Sequence, residues 1–137
     1  MIVVDTNLLA YLLLPNPNAA QAEAVLIKDP VWIAPALIHS EFRNVLLGAV
    51  RRKDVAERDA DSFLARAQEV ITVPDEPLDS AAVFALALQS GCSAYDCEFV
   101  WLARHLRVPL VTADKKVLNA FSGLAVQHYV FVGRAIV

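Results

Sequence analysis

The sequence predicts an α/β fold, a parallel sheet with helices on both faces, and three observations lead there. Short apolar runs alternate with helix-patterned segments along the whole chain. The first run, Met1 to Val4, is apolar and rich in β-branched residues and stops on the polar triplet Asp5-Thr6-Asn7, as a buried strand does where it leaves a sheet. At 137 residues the chain fits one domain, 1–137, large enough to bury a core.

The elements follow in order. Leu8 to Leu14 reads as a short buried helix, stopped by Pro15 and the turn Asn16-Pro17-Asn18. Ala19 to Ile27 is a helix with Ala22, Val25 and Leu26 on one face and Asn18 as the expected N-cap. Val31 to Ala34 is a second strand, bounded by Pro30 and Pro35. A long helix is expected from about Ala36 to Arg52, with Leu37, Ile38, Phe42, Val45, Leu46 and Ala49 as its apolar stripe. Asp54 to Ala67 reads as another helix, and Val70 to Val73 as a third strand ended by Pro74.

Leu78 to Gln89 is apolar almost all round, so it is expected to be buried or to lie at an interface; Gly91 is its stop. Ser93 opens a helix running to about Leu106, with Phe99, Leu102, Ala103 and Leu106 inward. Pro109 to Thr112 is a fourth strand, and Lys115 to Phe121 a short helix after Asp114. A fifth, edge strand is expected within Ala125 to Val132, while Gly133 to Val137 has no assigned structure.

Composition narrows the function. The hydrophobic share is 57%, above the usual range, which points to apolar surface covered by a partner or a second copy. A net charge of −3 excludes a general nucleic-acid coat, so any nucleic-acid contact is local or metal-mediated. Asp5 interrupts the first apolar run before a signal-peptide core can form, and Leu8 to Leu14 is too short to span a bilayer. Cys92 and Cys97 are too few for a disulfide framework and are expected to be reduced core residues of a cytoplasmic protein. His39, His105 and His128 have no zinc-ligand spacing.

Four acids stand out. Asp5 and Asp114 each follow a strand, at the sheet edge where open α/β folds bind ligands. Asp96 lies in the first turn of a helix that starts from the same edge, and Glu41 falls within an apolar stripe, where an unpaired carboxylate is costly. Each has a purely structural account. Asp5 and Asp114 cap helices, Ser93-x-x-Asp96 has capping-box spacing, and Glu41 reaches water from the stripe's edge. If the four converge, their repulsion requires extra protons or a cation. Oxygen-only donors favour Mg²⁺ or Mn²⁺ over zinc. Such ions acidify water and offset charge at a phosphodiester.

The segments V-V-D-T-N-L-L, S-E-F-R-N-V-L, Y-D-C-E-F-V-W-L-A and P-L-V-T-A-D, in this order and spacing, resemble the PIN-domain nucleases, and most closely the VapC-type ribonuclease toxins of toxin–antitoxin pairs. The likeness spans essentially the whole chain and is weaker toward the C-terminus. It implies a three-layer α/β/α fold with a five-stranded parallel sheet in order 3-2-1-4-5. It implies a Mg²⁺- or Mn²⁺-dependent endoribonuclease, with Asp5, Glu41, Asp96 and Asp114 as the catalytic, metal-binding quartet and Asn7 and Thr112 as supporting polar residues. The implied partners are RNA, a small antitoxin protein whose C-terminal segment covers the cleft, and a second copy in a homodimer, with no membrane association. Arg43, Arg51, Arg52, Lys53, Lys115 and Lys116 are candidates for steering RNA. The alternative is a non-catalytic module that uses the same fold to bind RNA or protein. A phosphatase or receiver-like protein is disfavoured because no D-x-D follows the first strand.

Overall fold

The computed structural model describes residues 1–133. Strand β1 (Ile2–Val4) is central, and its three apolar side chains are fully buried. It pairs in parallel with β2 (Trp32–Ile33) on one side and β4 (Leu110–Val111) on the other. Strands β3 (Ile71–Thr72) and β5 (Ala125–Val126) add in parallel at the two edges, giving the order β3-β2-β1-β4-β5. This is the expected α/β architecture, and every strand delivers its carboxyl end to the same edge.

Helix α1 (Thr6–Leu13) follows β1 with no loop, because Asp5 caps it directly. It therefore starts two residues before the expected Leu8. Asn16, not Asn18, organises the next turn: its side-chain amide donates to the carbonyls of Tyr11 and Leu14, and its oxygen accepts the Asn18 N–H. Asn18 stands at the N-cap position of α2 (Ala19–Lys28) but makes no side-chain cap bond, contrary to expectation.

Helix α3 (Leu37–Arg51) buries Ile38, Phe42, Leu46 and Ala49 against the core, with Leu37 and Val45 partly buried beside them. It ends within one residue of the expected Arg52, and the segment after it is what differs from expectation. Lys53 takes the left-handed conformation (φ 64°), its N–H bonding the Val50 carbonyl and the Asp54 N–H bonding that of Ala49. This turn and the burial of Val55 occupy the residues expected to begin a helix at Asp54. A 3₁₀ turn, Glu57–Asp59, comes first, and α4 spans Ala60–Val70.

Helix α5 (Ser80–Ser90) packs on α6 (Ala94–Leu106) through Val83 and Leu86. It leaves Phe84 and Leu88 63% and 72% exposed. Gly91 closes α5 at φ 73°, as expected. After β4 come α7 (Lys115–Ala120), β5 and α8 (His128–Gly133). The edge strand is thus present but occupies only two residues of its expected range, and a helix not foreseen follows it. Helix α8 rests on α2, with Phe131 buried under the Lys28 ammonium and His128 bonded to Gln21. Residues 134–137, part of the segment left without assigned structure, lie outside the described residues. Among the described residues no helix is long and apolar enough to cross a membrane.

Candidate active site

A cleft of about 110 Å³ opens at the carboxyl edge of the sheet, beside β1 and β4. Asp5, Glu41, Asp96 and Asp114 all line it, together with Thr6, Asn7 and Thr112. Phe99, Leu110 and Val117 form its apolar floor. Residues up to 109 positions apart in sequence meet here because β1, α3, α6 and the β4–α7 junction converge on one edge.

Each acid is fixed by its element. The Asp5 Oδ1 accepts the Leu8 N–H at 2.9 Å, capping α1. Its Oδ2 accepts the hydroxyl of Thr112, which is 2% exposed. The Thr112 oxygen also accepts the Asp114 N–H at 3.0 Å, so one threonine ties the exits of β1 and β4 together. Asp114 Oδ1 accepts the N–H groups of Lys116 and Val117 at 2.9 and 3.2 Å, capping α7. Ser93 caps α6 by accepting the Asp96 N–H at 3.0 Å. Glu41, one turn into α3, accepts the Thr6 hydroxyl on Oε1 at 2.7 Å.

The charges in this cleft work against one another. Burial pushes the Asp5 carboxyl up to about 6 from an ordinary 3.8, and the charge of Asp114 adds to the rise. The Thr112 hydroxyl and the N–H groups of Leu8 and Ala113 oppose it without cancelling it. Burial also raises Asp96; Asp114 adds to this, while the Ser93 hydroxyl and the Lys116 ammonium pull the other way. Glu98, two residues further along α6, lines a separate pocket with Pro35 and Val73, and is raised by burial and then by the charge of Glu41.

Two residues of this electrostatic unit, Thr6 and Glu98, are absent from the sequence-derived set. Both owe their place to partners distant in sequence. Thr6 meets Glu41 across 35 positions, and the only local signal is a hydroxyl next to Asp5. Glu98 is a carboxylate among apolar neighbours of α6, a pattern open to reading in the sequence. Of the supporting polar residues, Thr112 holds Asp5, whereas Asn7 is exposed at the cleft wall.

The candidate RNA-steering cations separate by position. Lys115 and Lys116 are exposed at the start of α7, beside the cleft, and Lys116 acts electrically on Asp96. Arg51, Arg52 and Lys53 lie at the far end of α3; Arg51 is about 15 Å along the axis from Glu41 at 1.5 Å per residue. Arg52 is paired with Asp54 at 3.1 Å. Arg43 faces a separate pocket with His39 between α3 and α4.

The donor set decides which ion this cleft suits. Its lining supplies carboxylate, hydroxyl and amide oxygens, while both free cysteines are buried and line no part of it. That chemistry fits a hard divalent cation, which would favour the ionised forms of Asp5 and Asp96 that burial, with a lesser part from the Asp114 charge, now disfavours. Among the described residues no three His, Cys, Asp or Glu side chains are gathered as a ready-made cage. Mg²⁺ does not demand one, since it retains several waters and takes one or two carboxylates directly.

Strand order and an acid-lined carboxyl edge are together those of a PIN-type domain, and the PIN domain family model matches residues 2–123. The chain belongs to the PIN-domain family. Within it, the chain is 30% identical over 128 residues to ribonuclease VapC3 of Pyrobaculum aerophilum, covering 90% of this chain and 96% of that protein. This relationship places it with the VapC-like ribonucleases. The fold is shared with the crystal structure of PAE2754 from Pyrobaculum aerophilum, with a TM-score of 0.77 and 22% identity over 97% of this chain and 93% of that one. It is shared too with a toxin–antitoxin complex from Klebsiella pneumoniae, with a TM-score of 0.68 and 20% identity over 94% and 98% of the two chains.

Proposed function

We propose that this protein is a single-domain, divalent-metal-dependent endoribonuclease and the toxin of a toxin–antitoxin pair. The observation that carries the reading is the assembly of Asp5, Glu41, Asp96 and Asp114, from four separate elements, on one cleft. Asp5, Glu41 and Asp96 would hold the principal Mg²⁺ or Mn²⁺, with Asp114 supporting it or a second, weaker ion. When bound, the ion supplies acidification of water and charge stabilisation at the scissile phosphate. Thr112 keeps Asp5 and the start of α7 in register, and Asn7 at the rim is placed to bond a carboxylate or water. Lys115 and Lys116 draw RNA phosphates toward a cleft that is otherwise negative. No side chain acts as a covalent nucleophile, and the products carry 5′-phosphate and 3′-hydroxyl ends.

The proposed partners are RNA, a small antitoxin and a second copy of the chain, in the cytoplasm. The antitoxin is supported by the VapC relationship and by the fold shared with a toxin–antitoxin complex. The homodimer is supported by the uncharged, exposed apolar side of α5.

The test maps total-RNA cleavage in Mg²⁺ by wild type and Asp96→Asn. Wild type should cut and the variant should not, with both folded by circular dichroism. Equal cleavage by the two removes Asp96, and the quartet with it, from the chemistry. A wild type without cleavage and without a saturable Mn²⁺ site would make the chain a non-catalytic binding module.

A further inference from the structure

Three polar side chains are buried among the described residues: Thr6, Thr112 and His128. The two threonines share one task, each donating its hydroxyl to a carboxylate of the cleft, Thr6 to Glu41 and Thr112 to Asp5. Thr6 stands at the first position of α1, directly after Asp5, and is 8% exposed. A hydroxyl in that place needs a partner, since an unsatisfied buried hydroxyl destabilises the fold where a valine of the same shape would not. Glu41 is that partner, at 2.7 Å.

Glu41 also needs the contact. Its carboxylate sits on three flexible bonds in a cleft of like charge, and the charges of Glu41 and Glu98 oppose each other. Left to itself it would occupy several rotamers and turn away from the acids. The Thr6 hydroxyl engages one oxygen, Oε1, and leaves Oε2 available. Asp5 and Thr6 are consecutive, so one tight strand-to-helix turn places one acid and orients another.

We infer that Thr6 is a positioning residue for the divalent-cation site, setting its affinity by holding Glu41 in place through the Oγ1–Oε1 hydrogen bond. The inference rests on the metal-site reading above and deepens it. Hydrogen bonds that orient a ligand are worth about 10–100-fold in metal affinity.

The test is isothermal titration of RNA-free protein with Mn²⁺. The variants are Thr6→Val, Thr6→Ser, Glu41→Ala and the double variant Thr6→Val/Glu41→Ala. Thr6→Val should weaken Mn²⁺ binding by about 10-fold or more, and Thr6→Ser should restore most of it. Thr6→Val should cost nothing further in the Glu41→Ala background, where no side-chain oxygen is left at position 41 to accept the hydroxyl. Equal Mn²⁺ affinity of Thr6→Val and wild type overturns the inference, as does the same loss in both backgrounds, which is the mark of a purely structural role. Should Thr6→Val fail to fold, Thr6→Ala is judged by the same titration. A wild type with no saturable site overturns the metal reading and this inference together; a wild type that binds beside an unaffected variant overturns this inference alone.

Discussion

Replacing Asp5 with asparagine should stabilise the metal-free protein while destroying its function. The Asp5 carboxyl is pushed from 3.8 up to about 6, chiefly by burial. The sign follows from proton linkage. Below pH 3.8 the group is protonated in both states and has no effect. Between 3.8 and 6 the unfolded chain releases the proton while the folded one keeps it, so stability falls as pH rises. Above 6 the loss levels off. At 1.36 kcal/mol per unit, the penalty is about 1 kcal/mol at pH 4.5 and about 3 kcal/mol at pH 7.5. Asparagine escapes it. Its oxygen can still accept the Leu8 N–H, but its amide meets the Thr112 hydroxyl with the wrong polarity, which costs about 1 kcal/mol. The net gain at pH 7.5 is about 2 kcal/mol. With about 2.1 cal/mol/K of unfolding entropy per residue over 137 residues, Tm should rise by about 7 °C. Calorimetry in EDTA from pH 4.5 to 7.5 reads this directly, with the advantage shrinking to near zero at the acid end. Saturating Mn²⁺ should reverse the order, because only wild type gains binding free energy. A variant that is less stable at pH 7.5, or a difference that does not move with pH, would refute the reasoning.

Other expectations follow from single contacts. Ser93→Ala removes the α6 cap and should cost about 1 kcal/mol, read as a Tm lower by about 3–4 °C; an unchanged Tm would mean that the Asp96 N–H finds another acceptor. Lys116→Met should raise the KM for RNA with little change in kcat and reduce the slope of log affinity against log salt by about 1, whereas Arg51→Met, far along α3, should alter neither. Phe84→Ser/Leu88→Ser should shift the protein to monomer in analytical ultracentrifugation, and a wild type already monomeric would remove α5 as the interface.

What was legible in the sequence was what local pattern determines. Three apolar residues ending on Asp5, and Leu110-Val111-Thr112 ending near Asp114, mark strands whose exits carry acids, and the sheet puts both at one edge. The helix pattern of α3 placed Glu41 beside the core, and the structure adds Thr6 to explain how a carboxylate tolerates that position. The misreadings have tertiary causes. From Asp54 onward the chain has helix-forming composition, but the left-handed Lys53 and the buried Val55 delay α4 to Ala60. The stretch His128 to Val132 has the β-branched and aromatic residues of a strand, yet it forms α8, which buries Phe131 against α2. No local propensity reports the presence of α2, so tertiary context overrides it there. Glu98 is the same kind of case, since only the folded chain brings its charge within range of Glu41, 57 positions away in sequence.

The structural and chemical accounts of these acids are not rivals, and that decides how they are best dissected. Asp5 and Asp114 are working helix caps, with the backbone N–H groups of α1 and α7 on their carboxylate oxygens. Capping fixes the side chain before any ligand arrives, and a helix N-terminus offsets part of the charge that the cleft concentrates. A cap therefore suits the cleft's chemistry instead of competing with it. Alanine at either position removes cap and charge together, so a dead Asp114→Ala protein would say little about chemistry. Asparagine caps about as well as aspartate. Asp114→Asn should thus keep the α7 turn and the fold while weakening Mn²⁺ binding and RNA cleavage, whereas Asp114→Ala should add a stability loss of about 1 kcal/mol. If Asp114→Asn cuts RNA and binds Mn²⁺ like wild type, Asp114 is a cap alone, and Asp5, Glu41 and Asp96 carry the site without it.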